Sequence, residues 1–305
     1  MAAGCGGSDK PTAPHPAPPP QNPPVLQLVW GAAGPLGSQF QEPTGAACGP
    51  GNVLYVADSG NHRIQEFTQD GGLLTVFGEL GTPTGFFLHP QGVAVDASGN
   101  VFVADTYNHR VQKFDSGGTY LSSWGSYGGD PGQFRYPCAV AVDAAGDVYV
   151  VDAGNNRIEK FTGTGTLVAP WGSQGTAAGQ FSNPGGIAVD ATGHVYVADT
   201  GNNRIEAFTS GGSFVFSWGS AGTGNGELSA PTGIAVDGSG NVYVTDRGNN
   251  RVEEFAATGE LLTLWGSAGA GNGQFQGPAG IALDGNGKIY VVDTGNNRVE
   301  KFGFR

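Results

Sequence analysis

The chain has 305 residues, 38% of them hydrophobic and 55 of them glycine, with a formal net charge of −12, enough length for one large domain or two ordinary ones. Only 14 residues are Lys or Arg, which argues against nucleic acid and anionic membrane as partners, because affinity for phosphate groups rests on clustered cations. No apolar run approaches the ~18 residues of a transmembrane helix.

Residues 1–24, MAAGCGGSDKPTAPHPAPPPQNPP, hold eight of the 19 prolines and no bulky apolar residue after Met1. This is the composition of an extended tether, not of a packed unit. Within it, Ala2-Ala3-Gly4-Cys5 followed by Gly-Gly-Ser-Asp resembles the end of a bacterial lipoprotein signal. That resemblance implies a lipid on Cys5, membrane attachment through that lipid alone, and display on a bacterial cell envelope. A cytoplasmic protein with a plain tail is the alternative.

VLQLVWG (25–31) comes next, a lone apolar strand, and from there the chain repeats every 47 residues without a gap. Asp58, Asp105, Asp152, Asp199, Asp246 and Asp293 stand at that spacing, as do Arg63, Arg110, Arg157, Arg204, Arg251 and Arg298. One unit, PTGIAVDGSGNVYVTDRGNNRVEEFAATGELLTLWGS (231–267), divides into four strands: a (GIAVD), b (VYVTD), c (RVEEF) and d (LLTLWG). Asp-x-x-Gly-Asn joins a to b, the Asp bonding turn N–H groups and the Gly taking positive φ. Four-stranded units of this length, apolar on both faces, bury those faces only against neighbours and mean propeller blades. Six copies predict an all-β, monomeric, six-bladed β-propeller over 25–305. The last unit stops after RVEKF (298–302) and lacks strand d, while Trp30 occupies the slot of Phe77, Trp124, Trp171, Trp218 and Trp265. The N-terminal strand is therefore expected to complete the last blade and close the ring.

GIAVDGSGNVYVTDRGNNRVEEF and VAVDASGNVFVADTYNHRVQKF are similar to NHL repeats, and all six units share the pattern. The resemblance implies a six-bladed propeller used mostly as a binding platform. A minority of relatives are enzymes, including lyases with zinc and calcium, so a metal-dependent lyase or hydrolase is the alternative to a non-enzymatic scaffold.

The repeated Asp and Arg of each b–c hairpin read as a structural pair facing across the turn, worth at most about 1 kcal/mol if solvated. Asp96, Asp143, Asp190, Asp237 and Asp284 end strand a near the axis, with Gly49 in the first unit; a turn role accounts for them, and a Ca²⁺ ring is the alternative. Cys48 and Cys138 fill apolar or small slots and suggest neither a disulfide nor a metal site. Departures from the repeat carry more information. The residue before the repeated Pro is Glu42, His89, Tyr136, Asn183, Ala230 and Gly277 in turn, and the residue before the repeated Arg is His62, His109 and then Asn four times. Tyr107 replaces a hairpin Gly, and Arg135 adds a cation beside Tyr136. In a propeller the d–a and b–c links share a face, so Glu42, His62, His89, Tyr107, His109, Arg135 and Tyr136 are expected to gather on blades 1–3, opposite a bland sector. Such residues suit a protein, peptide or glycan ligand. Catalytic residues are not indicated, and no cofactor is expected beyond the Zn²⁺ or Ca²⁺ of the enzyme alternative.

Overall fold

The computed structural model describes residues 22–304; Cys5 and the rest of the Pro-rich segment to residue 21 lie outside them. β1 (Val25–Trp30) is followed by blade 1, made of β2 (Pro43–Gly49), β3 (Val53–Asp58), β4 (Arg63–Phe67) and β5 (Leu73–Phe77). Blade 2 is β6 (Pro90–Val95), β7 (Val101–Asp105), β8 (Arg110–Phe114) and β9 (Tyr120–Trp124), and blade 3 is β10 (Pro137–Val142), β11 (Val148–Asp152), β12 (Arg157–Phe161) and β13 (Leu167–Trp171). Blade 4 is β14 (Gly186–Val189), β15 (Val195–Asp199), β16 (Arg204–Phe208) and β17 (Phe214–Trp218), and blade 5 is β18 (Pro231–Val236), β19 (Val242–Asp246), β20 (Arg251–Phe255) and β21 (Leu261–Trp265). β22 (Ile281–Leu283), β23 (Ile289–Asp293) and β24 (Arg298–Gly303) form blade 6, whose outer strand is β1.

The sheet order β1-β24-β23-β22, with Val25 opposite Gly303 and Trp30 opposite Val299, closes the ring as the sequence predicts. The second strand of each blade, for example β11 (VYVVD), is buried along its length, except for half-buried Val53 at the start of β3. Its two faces pack against two neighbouring blades, which is why these segments are near-continuously apolar instead of alternating. Tyr55, Ala57, Ile64 and Phe77 of blade 1 thus share a core with Phe87, Val93, Val101, Val103 and Phe114 of blade 2. At the closure Phe40, Leu54, Val56 and Phe67 meet Tyr290, Val292 and Val299, with Trp30 against them. Each fully buried aromatic or branched side chain contributes about 1.5–3 kcal/mol.

Near the axis the inner strands approach backbone to backbone. A Cβ on Gly45, Gly186 or Gly280 would run into the carbonyl of Gln91, Thr232 or Thr44 on the next blade. Glycine permits this close approach in five blades, the third carrying Ala139 at the same position, and the inner strands draw together below the opening on the b–c face.

Candidate functional site

Each b–c hairpin is built around a buried ion pair. Asp58 is fully buried and its Oδ2 accepts Arg63 Nε at 2.7 Å, and all six pairs lie at 2.7–2.8 Å. Arg63 also donates to the carbonyls of Pro35, Leu36 and Gln39 in the d–a loop, while Asp58 Oδ1 accepts the Gln41 N–H. The pair faces across the turn and is buried, so the value for a solvated pair does not apply, and it is also the hub that docks the d–a loop on the hairpin. Removing one partner strands a buried charge, a loss of roughly 3–5 kcal/mol.

The slot before each Arg has left-handed backbone, φ 57° at His62 and 54° at His109, which favours Asn and His among non-glycine residues. Its side chain ties one blade to the next. Asn156, Asn203, Asn250 and Asn297 Oδ1 accept the backbone N–H of Asn183, Ala230, Gly277 and Glu42. In the two remaining blades His62 Nδ1 accepts the His89 N–H at 3.0 Å, and His109 Nδ1 accepts the Tyr136 N–H at 3.2 Å. The histidines therefore serve the architecture as the asparagines do, with the proton on Nε2. Burial lowers the pKa of both; at His62 the neighbouring His89 lowers it further.

Their rings, however, join a continuous arc on the b–c face. His62 meets His89 at 4.5 Å between centroids, His89 meets Tyr107 at 5.1 Å, and Tyr107 meets Tyr136 at 5.5 Å, all edge-on. His109 then lies 4.9 Å from both Tyr136 and Tyr127, and Arg135 sits 5.5 Å from the Tyr127 ring. Tyr107, Tyr127 and Tyr136 are 47%, 61% and 46% exposed. Six of the seven departing residues are thus brought together, and Tyr127 joins them; its slot varies from blade to blade, so the repeat gave it no prominence. Glu42 stands apart from the arc.

Inside the arc opens an axial cavity of about 1170 Å³, lined by Glu42, His89, Tyr107 and Tyr136 together with amides and hydroxyls such as Gln91, Asn183, Thr232 and Asn297. The sector expected to be bland is corrected by Arg247, which lines the cavity from blade 5. It stands where other blades carry Ser59, Thr106, Ala153, Thr200 and Thr294, a uniform small slot in which the arginine was visible from the sequence.

The strand-a carboxylates turn away from the cavity. Asp96 Oδ1 accepts the Ser98 and Asn100 N–H groups at 2.9 and 2.8 Å, and Asp143, Asp190, Asp237 and Asp284 repeat the pattern. The turn role holds and the ring of metal ligands does not. Among the described residues no three His, Cys, Asp or Glu side chains are placed to hold a metal ion, so the residues present do not fit the Zn²⁺ or Ca²⁺ of the enzyme alternative. Cys48 and Cys138 are free thiols. Cys48 is half-buried against the closing core, and Cys138 lies in the cavity wall with burial pushing its thiol up to about 12.

A second set of carboxyls is fully buried two residues after the repeated Arg, where blades 1 and 2 carry Gln65 and Gln112 and the others Glu159, Glu206, Glu253 and Glu300. Gln65 Nε2 donates to Gln39 O and to Asp58 Oδ2, and its Oε1 accepts the Ser38 N–H. A carboxylate in that setting cannot make the two amide donations and lies instead against the repeated Arg, Glu159 Oε1 at 2.9 Å from Arg157 Nη2 and Glu300 Oε1 at 2.7 Å from Arg298 Nη2. Burial, with the Asp of the hub, pushes all four Glu up to about 7 against the pull of the adjacent Arg.

A family model for the NHL repeat matches residues 40–67, 87–114, 134–161, 181–208, 228–255 and 275–302. The chain belongs to the NHL-repeat family. Among curated proteins, this NHL chain is 40% identical over 57 residues to Protein brain tumor of Drosophila melanogaster, a match spanning 19% of the chain and 6% of that relative. Solved propellers share its fold. One is a streptogramin B lyase structure, with TM-score 0.65, 16% identity, 92% of this chain and 98% of that one covered. Another is a nidogen/laminin complex, with TM-score 0.59, 20% identity, 75% and 82% covered.

Proposed function

We propose that the protein is a non-catalytic binding module that takes a protein, peptide or glycan partner on its b–c face, held on a bacterial cell envelope through Cys5. The observation that carries this is the arc of six rings from His62 to Tyr127, in which half-buried histidines and exposed tyrosines hold one another edge-on, with only His109 and Tyr127 tilted. Each such contact contributes about 0.5–1.5 kcal/mol. Rings already fixed lose little freedom on binding, which favours affinity. That similar folds occur in a nidogen/laminin complex and in a streptogramin B lyase is compatible with this reading, which rests on the arc.

The test is a peptide-display library and a glycan array applied to immobilised protein. His89→Ala with Tyr136→Ala should weaken the selected ligands about 30-fold or more, as loss of an aromatic anchor does. Ser98→Ala, in an a–b turn on the far face, should leave them unchanged. Retained affinity in the double variant would refute the proposal.

A further inference from the structure

Arg247 is accompanied by two other departures from the repeat. In blades 1, 4 and 6 the residue at its position ties its blade to the next: the Ser59 hydroxyl donates to Pro90 O, Thr200 Oγ1 to Pro231 O at 2.7 Å, and Thr294 Oγ1 to Pro43 O at 2.7 Å. Arginine abandons that tie, and Thr245, where other blades carry Ala57, Ala104, Val151, Ala198 and Val292, supplies a substitute. Its Oγ1 donates to Ala279 O of blade 6 at 2.7 Å. On the next blade Gly277 is the one residue of its slot with no side chain, and a Cβ there would lie 3.6 Å from Arg247 Nε. The guanidinium thus occupies the space over Gly277, relieved of any structural duty.

No carboxylate of the described residues pairs with it. Arg247 is also the single Lys or Arg lining the cavity, on blade 5, across the axis from Tyr107 of blade 2. The wall between them carries amides and hydroxyls, including Asn183, Gln276 and Thr294, and one carboxylate, Glu42 at the start of blade 1. Tyrosine faces stack on the apolar faces of sugar rings, amides and hydroxyls meet sugar hydroxyls, and one guanidinium takes one carboxylate through two parallel hydrogen bonds. The net charge of −12 disfavours a densely anionic chain.

Resting on the reading of this face as a binding site, we propose that the mouth takes an oligosaccharide with a single hexuronate, its carboxylate on Arg247 and a neutral sugar ring against Tyr107 and Tyr136.

The probe is a trisaccharide of two neutral hexoses and one terminal hexuronate, titrated calorimetrically beside its methyl ester. The ester should bind at least tenfold more weakly than the acid, as loss of a charge-assisted contact requires. Arg247→Ala should lower affinity for the acid by the same factor and leave the ester unaffected, with Arg247→Lys intermediate, and Tyr107→Ala with Tyr136→Ala should abolish both. Equal binding of acid and ester, or an acid affinity untouched by Arg247→Ala, overturns the carboxylate assignment; loss of both ligands in the tyrosine variant then still upholds the binding module. No binding of either saccharide, with a library peptide that depends on the two tyrosines, overturns the glycan assignment and keeps the module. No saccharide and no peptide overturns both.

Discussion

At the scale of single residues, side chains that the repeat treats as equivalent differ in how they respond to protons. The four buried Glu hold their protons to about pH 7 in the folded state, while in the unfolded chain they ionise near 4.5. Between these values the folded state binds more protons, so stability from these sites is fully present below about pH 4.5 and is lost as pH rises to about 7. At about 1.4 kcal/mol for each pH unit separating the folded and unfolded values, each site carries a penalty of that order or more at pH 8. Glu159→Gln, Glu206→Gln, Glu253→Gln and Glu300→Gln together copy blades 1 and 2. They should raise the melting midpoint at pH 8 and flatten its fall from pH 5 to 8; unchanged thermal scans would contradict the burial of these carboxyls.

His62 and His109 act with the opposite sign. Their pKa is lowered on folding, so the stability they lend is complete above about 6.5 and declines as pH drops through the lowered value. His62→Asn with His109→Asn keeps the acceptor and the left-handed backbone, as four blades demonstrate. The variant should lose less stability than the parent between pH 7 and 5, measured by denaturant unfolding, and a parallel loss in both proteins would count against the Nδ1 tie.

At the scale of strands, the repeat made the fold legible because the Asp and Arg of the b–c hairpin and the proline before strand a recur six times. The b and c strands fall where the apolar runs and the Asp-to-Arg spacing put them, and the missing outer strand of blade 6 is supplied by Val25–Trp30. The inner strands end one residue earlier than the pattern GIAVD suggests, for example at Val236, because the Asp that follows caps the turn. What escaped the sequence was contact between segments far apart in the unit. Gln65 and Glu159 lie on strands whose spacing alone would leave them on a solvated face; the d–a loop covers them. The rings of the arc belong to three different blades and to loops whose approach no local period encodes. β1 itself is open to test. Deleting residues 25–31 uncovers the edge of β24 and removes Trp30 from Phe67 and Tyr290, 6.0 and 6.2 Å away between centroids. Trp30→Ala alone should cost roughly 2–4 kcal/mol, and the deletion more, read as a drop in the melting midpoint larger than that of the point variant.

At the scale of the whole molecule, chain direction gives the disc two unequal sides. The arc, Arg247 and the cavity opening lie with the b–c hairpins, whereas the a–b turns with their self-satisfied Asp carboxylates occupy the other side. β24 starts at a b–c hairpin and runs away from it to Gly303, and Val25 is paired with Gly303, so the chain enters the ring on the side remote from the arc. Any attachment made through residues before Val25 consequently joins the ring from behind, like a handle on the back of a dish, and has no need to cross the cavity opening to reach it.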